Sequence, residues 1–93
     1  MDKAGKSSQI PRKNNIRLRE QEGNLVVFNL ETSGFHMLTK DGAELLDEVD
    51  GNRSIKDLAA LFSVRKGTDV VQLEEQFVDF FEGLALRKIV ELS

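Results

Sequence analysis

The hydrophobic period of this 93-residue chain changes once, and that change orders the rest of the sequence. From Ile16 to Leu38 the apolar residues follow strand patterns; from Thr39 to Leu86 they recur every three or four residues. Alternation sends side chains to opposite faces of a strand, whereas the longer spacing gathers them on one side of a helix. A chain with its strands first and its helices last is α+β, with a small sheet laid against a helical layer.

The strands begin with Ile16-Arg17-Leu18-Arg19-Glu20. Glu22-Gly23-Asn24 supplies a turn, and Leu25-Val26-Val27-Phe28-Asn29-Leu30 is a second strand rich in branched and aromatic residues. Glu31-Thr32-Ser33-Gly34 reads as a hairpin loop into a short third strand, Phe35-His36-Met37-Leu38. The expectation is a three-stranded antiparallel meander. Thr39 is placed to cap a first helix whose apolar side is Ala43, Leu45, Leu46 and Val49, and Asp50-Gly51-Asn52 stops it. Ser54 and Asp57 make a weakened capping box for a second helix that buries Ile55, Leu58, Ala59 and Phe62.

After a polar loop, Arg65-Lys66-Gly67, Thr68 or Asp69 caps a third helix that runs to Leu86. Val70, Leu73, Phe77, Phe80 and Leu84 form its apolar stripe, which Phe81 widens. Its remaining surface holds Asp69, Glu74, Glu75, Asp79 and Glu82 without one Lys or Arg. Arg87-Lys88 is a cationic turn before a closing strand, Ile89-Val90-Glu91-Leu92. Two short capped helices and a longer one have helix-turn-helix proportions. The fold expected for residues 16–93 is therefore winged helix-turn-helix-like, a three-stranded antiparallel sheet followed by three helices. Residues 1–15 are polar, show no period and contain the only proline, so they read as a disordered basic arm.

Composition removes several classes of function. Without cysteine there are no disulfides, thiolate zinc sites, iron–sulfur clusters or cysteine nucleophiles. No apolar run approaches the roughly 20 residues of a membrane span, and the amino-terminal lysines are not followed by the apolar segment of a secretory signal. Cytoplasmic is the default location, with no membrane as a partner. Residues 1–19 carry a balance of +5 and residues 20–93 one of −8, which marks either a nucleic-acid tail or a solvated arm lying on an acidic body.

His36 is the only histidine, and no nucleophile or orienting group is recognisable beside it. The adjacent acid pairs Asp47/Glu48 and Glu74/Glu75 diverge around their helices, so no metal set forms. Phosphate, dinucleotide, zinc-protease and calcium motifs are all missing. The chain reads as a binding module, with no enzymatic activity and no cofactor. A helix-turn-helix outline suggests DNA, but a third helix with acids and no base repels a phosphate backbone. That leaves nucleic acid out of the favoured reading. The alternative is an acidic winged-helix regulator that contacts DNA through its arm or a protein through its third helix.

Peptide suits the pattern better. Apolar residues occupy both parities of residues 35–38, so either Phe35 and Met37 or His36 and Leu38 are left over once one face meets the helices, unless both faces are covered. If the strand is an exposed sheet edge, another chain can add beside it, backbone to backbone. Val71, Glu75, Val78 and Glu82 share a face of the third helix and would wall such a groove, with Val78 as an apolar anchor among acids. That acidic wall predicts basic groups in the bound peptide and an affinity that falls with salt.

These residues also carry a likeness. The run LVVFNLETSGFHMLTKDGAELLDEVDGNRSIKDLAALF resembles the PqqD-like family, the recognition element of ribosomally made, modified peptides. The likeness spans about residues 20–92 and rests on Leu38-Thr39, Asp50-Gly51, Ser54 and Phe80-Phe81 in their order. It implies a non-catalytic peptide chaperone that takes the leader of a precursor peptide as an extra strand along the third strand, clasped by the third helix. The precursor's core would then be presented to a modifying enzyme, commonly a radical S-adenosylmethionine enzyme, in pyrroloquinoline quinone synthesis or a related pathway. Carried over by position, the peptide edge is Phe35, His36, Met37 and Leu38, and the wall Val71, Glu75, Val78 and Glu82. Thr39 stands where the family pattern has Asn, and Lys88 where it has Gly, which leaves the closing strand open to question. The oligomeric state is not determined by any of these features.

Overall fold

Alternation produces the expected meander. The computed structural model describes residues 3–93. A four-residue helix α1 (Lys3–Lys6) and a short strand β1 (Pro11–Lys13) precede β2 (Ile16–Gln21), β3 (Asn24–Asn29) and β4 (Phe35–Leu38). Helices α2 (Lys40–Asp47), α3 (Ile55–Lys66) and α4 (Val70–Leu86) follow, and β5 (Val90–Leu92) closes the chain. The main sheet has the order β2-β3-β4, antiparallel throughout, with Ile16 opposite Asn29 and Phe28 opposite Phe35.

One face of the sheet packs on the helices. Val27 and Leu38 join Leu45, Leu46 and Val49, the α3 residues Ile55, Leu58, Ala59 and Phe62, and the α4 residues Leu73, Phe77, Phe81 and Leu84 in one core. Phe62 and Phe77 meet edge to face at 5.6 Å, a favoured aromatic geometry that joins α3 to α4.

The helix caps form as the sequence indicates. The Thr39 hydroxyl accepts from the Gly42 N–H at 3.0 Å, and Ser54 and Asp57 complete the capping box at 3.1 and 3.0 Å. Two boundaries and one cap bond differ from expectation. Helix α2 ends at Asp47, because the Asp50 carboxylate draws the Asn52 and Arg53 N–H groups into a local turn around left-handed Gly51. Arg65 and Lys66 are the last turn of α3 rather than loop: they sit at its negative dipole end and pair with Glu44 and Glu48 across to α2. Asp69 holds the N-cap position of α4, but its side chain makes no capping bond.

The expected disordered arm is the largest correction. Met1 and Asp2 lie outside the described residues; from there the arm is threaded into the fold. The Ser7 and Gln9 carbonyls accept from Lys56 and Ile55, two of the N–H groups that the start of α3 leaves unpaired. Strand β1 pairs with β5, and Ile10 and Ser93 exchange both backbone bonds. In that alternation the Pro11 nitrogen points away from β5, so its missing N–H costs the ladder nothing. Pro11 and Ser7 are fully buried, and Lys6 pairs with Glu82 at 2.8 Å. Carbonyl oxygens hold this segment, and carbonyls leave no trace in composition.

The closing strand forms despite Lys88. That residue adopts the left-handed conformation, φ 60°, that a glycine takes without strain. Its carbonyl accepts from the side-chain amides of both Asn14 and Asn29, which fix the turn from two sides.

Candidate functional site

Residues 29–34 build the site's foundation. The Asn29 side-chain oxygen accepts from the Glu31 and Thr32 N–H groups, at 2.7 and 3.0 Å, and so closes an Asx turn. Ser33 takes a left-handed φ of 63° and the chain returns through Gly34. Gly34 lies against the end of α4 so closely that a Cβ there would stand 2.7 Å from the Arg87 carbonyl oxygen. Sheet and helix therefore touch at this end.

Strand β4 is an edge. The Asn29 N–H donates to the Gly34 carbonyl at 2.8 Å, which makes 29/34 a hydrogen-bonded pair. In this register Val27 faces His36 and Leu25 faces Leu38, and antiparallel pairs alternate between bonded and non-bonded. His36 and Leu38 thus direct their backbone groups at β3, while Phe35 and Met37 direct theirs outward. Among the described residues no strand pairs with that outer side. Two N–H donors and two carbonyl acceptors stand in a row there, a template for one more strand.

The side chains divide as a strand requires. Leu38 is core and His36 is half-buried on the same face, whereas Phe35 and Met37 are each 58% exposed on the other. The parity left open by the sequence is thereby settled in favour of Phe35 and Met37. With Val26 and Phe28 they make an apolar strip on the sheet's outer face, where Phe28 and Phe35 tilt together at 6.3 Å. At the mouth between sheet and helix, Ser33, Gly34, Phe35, His36, Met37 and Arg87 line a shallow groove. Burial, and then the positive charge of Arg87, hold the His36 imidazole below its ordinary pKa.

The helical wall is elsewhere than expected. Val78 is fully buried and belongs to the core, so it is no anchor for a ligand. Glu82 turns to Lys6 of the amino-terminal segment. At about 100° per residue, Val71 and Glu75 lie on the same flank as Glu82, toward α1 and β5. The opposite flank looks at α2 and β4: the Phe80 ring comes within 3.1 Å of where a Gly42 Cβ would be, and Arg87 borders His36. Phe80 is correspondingly half-buried. Of the eight residues singled out, Phe35, His36, Met37 and Leu38 stand together. Val71, Glu75, Val78 and Glu82 do not join them. Helical spacing defines two flanks beside a stripe, and the choice between them depended on where the amino-terminal segment would pack. Arg87 and Phe80, a terminal cation and a stripe residue by their sequence pattern, are the α4 residues on the flank toward β4 and α2.

Among the described residues no group of three His, Asp or Glu side chains is arranged to hold a metal ion, and no helix is long and apolar enough to cross a membrane.

Comparison with known proteins places this architecture. The family model described as coenzyme PQQ synthesis protein D matches residues 24–90. A search of curated protein sequences found no significant match. In fold, the chain is similar to the PqqD truncation of Methylobacterium extorquens PqqCD, described as a functional, stand-alone recognition element for ribosomally synthesised and post-translationally modified peptides. The TM-score is 0.73, with 24% identity over 91% of this chain and 92% of that one. It is also similar to TbiB1 in complex with the TbiA(β) leader peptide, with a TM-score of 0.67 and 16% identity over 82% of this chain and 88% of that one. The match to the family model extends from β3 to the start of β5, and the chain belongs to the coenzyme PQQ synthesis protein D family.

Proposed function

We propose that this chain is a non-catalytic chaperone that binds the leader of a ribosomal precursor peptide as a fourth strand beside β4 and presents the rest of that peptide to a modifying enzyme. The observation that carries the proposal is the open row of backbone groups at Phe35 and Met37 beside a groove bordered by Arg87. Family membership supports it, and one of the similar structures is a complex with a leader peptide. Strand addition draws affinity from the backbone and specificity from alternate side chains, which suits an edge with apolar residues on one face and a histidine on the other. The modifying enzyme in this reading is a radical S-adenosylmethionine enzyme, the setting is the cytoplasm, and the product is pyrroloquinoline quinone or another peptide-derived compound. The rival reading, a DNA-contacting regulator, has the five acids of the α4 segment against it and an arm committed to pairing with β5.

The reading predicts a short precursor gene in the neighbourhood of this one, and the test is a titration of the labelled chain with a synthetic leader from that precursor, followed by amide chemical shifts. Shifts centred on residues 34–38 and 80–87 are expected. Saturable binding that leaves Phe35 and Met37 unshifted would remove the strand-addition reading.

A further inference from the structure

Resting on that strand-addition reading, we infer that the bound segment carries an aspartate or glutamate at the position opposite His36, where its carboxylate meets Arg87. The geometry of an added strand fixes which side chain goes where. Directly opposed residues on neighbouring strands project to the same face. Peptide residues opposite Phe35 and Met37 therefore lie on the outer face, against the apolar strip with Val26 and Phe28. The residue opposite His36 projects to the other face, into the mouth bordered by Arg87. The next such residue lies opposite Leu38.

The charge at that mouth is positive. The Arg87 guanidinium donates one bond, to the Gly83 carbonyl at 3.2 Å, and among the described residues no carboxylate pairs with it. The half-buried His36 on the same mouth carries no negative charge to offset it. On this flank of α4 the neighbouring positions are Gln76, Phe80 and Gly83, none of them acidic. Of the helix's acids, Glu74, Glu75 and Glu82 stand away from this flank, Asp79 lies between the two flanks about two turns from Arg87, and Glu82 is already paired with Lys6. The N-cap Asp69 is at the far end, about 27 Å away along the axis. A guanidinium with free donors, a partly desolvated histidine and a mouth lined by no acid select a carboxylate. The peptide expected from the acidic wall was basic; the flank that faces β4 reverses the sign.

Selection of phage-displayed random dodecapeptides against the full 93-residue chain tests this. Peptides that shift the Phe35 and Met37 amides should be enriched in Asp or Glu, with an apolar residue one position away on the outer-face parity. Arg87→Gln should weaken them about fivefold, the range of an exposed ion pair, and Arg87→Lys should recover most of the loss. Replacing the peptide's acid by Ala should abolish the effect of residue 87, a coupling that a merely structural arginine would not produce. An unchanged melting temperature in each variant shows that the fold is retained. Edge-binding peptides without acid enrichment, or indifferent to Arg87→Gln, would overturn the carboxylate inference and leave strand addition standing. A selection yielding no peptide that reaches Phe35 and Met37 would overturn both.

Discussion

Replacing Gly34 by Ala probes a contact that holds the sheet against the end of α4. An added Cβ would stand 2.7 Å from the Arg87 carbonyl oxygen and 3.3 Å from the Thr32 hydroxyl. The first distance is about 0.7 Å short of ordinary contact, and the obstacle is backbone. It cannot retreat easily, because the Arg87 and Lys88 N–H groups bond back into α4 and the Lys88 carbonyl is held by two asparagines. Overpacking of this kind costs about 1–3 kcal/mol, and the lost freedom of the unfolded chain returns about 0.4–1 kcal/mol. The net expectation is a loss of about 1–2 kcal/mol, or roughly 5–12 °C in melting temperature for a domain of this size. Gly83→Ala is the matched control. Its Cβ meets nothing within 4 Å and it lies inside α4, so it should stabilise by about 0.5–1 kcal/mol. Calorimetric melting of the two variants reads the difference directly. A Gly34→Ala protein as stable as the parent would mean that sheet and helix are not locked together at this point. The groove argument would then lose its fixed end.

Val78→Ala should cost about 2 kcal/mol in urea unfolding, because both methyls it removes are fully buried, while Glu75→Ala on the exposed flank should stay within about 0.5 kcal/mol. Lys88→Gly should raise stability by up to about 1 kcal/mol in the same assay, since it relieves a left-handed non-glycine residue; a loss would show that the lysine contributes something beyond its backbone. His36 is held below its ordinary pKa by burial and then by Arg87, so the native state resists protonation that the unfolded chain accepts near pH 6.5. The unfolded state binds the extra proton, and stability should therefore fall as pH drops from about 6.5 through the lowered native value. His36→Gln should remove that slope from a melting-temperature profile, and an identical slope in the variant would assign it to other groups.

Much of the fold was legible in the sequence, for a physical reason that also explains what was not. Caps and turns are local: Thr39, Ser54 with Asp57, and Gly67 act on backbone within a few residues, so their chemistry can be recognised in a linear string. The meander is local too, with turns at residues 22–24 and 31–34 joining consecutive strands. The amino-terminal segment is the reverse case. Ser7 and Gln9 act through carbonyls on α3, and β1 finds β5 across nearly the whole chain. Neither side-chain type nor periodicity records such a partner. The error about Val71, Glu75, Val78 and Glu82 follows from it, because packing α1 and β5 on one flank of α4 decides which flank remains for β4.

The two edges of the main sheet differ in a way that folding alone does not require. Exposed edges invite unwanted pairing, and proteins blunt them with charge. Strand β2 follows that rule more closely: Arg17, Arg19 and Glu20 are exposed along it and flank Leu18, which is 49% exposed. Strand β4 does not. Its outward-bonding residues are Phe35 and Met37, large, apolar and more than half exposed, and its only ionisable side chain, His36, is kept toward the neutral form. Burying those two side chains against a ligand strand would remove apolar surface from water at about 25 cal/mol per Å², a gain available only when another chain adds to this side. An unguarded edge is a hazard in a protein that works alone. Beside a charged edge in the same sheet, with a glycine against the helix end and an arginine at its mouth that pairs with no carboxylate among the described residues, it agrees with the proposed addition of a ligand strand on this side.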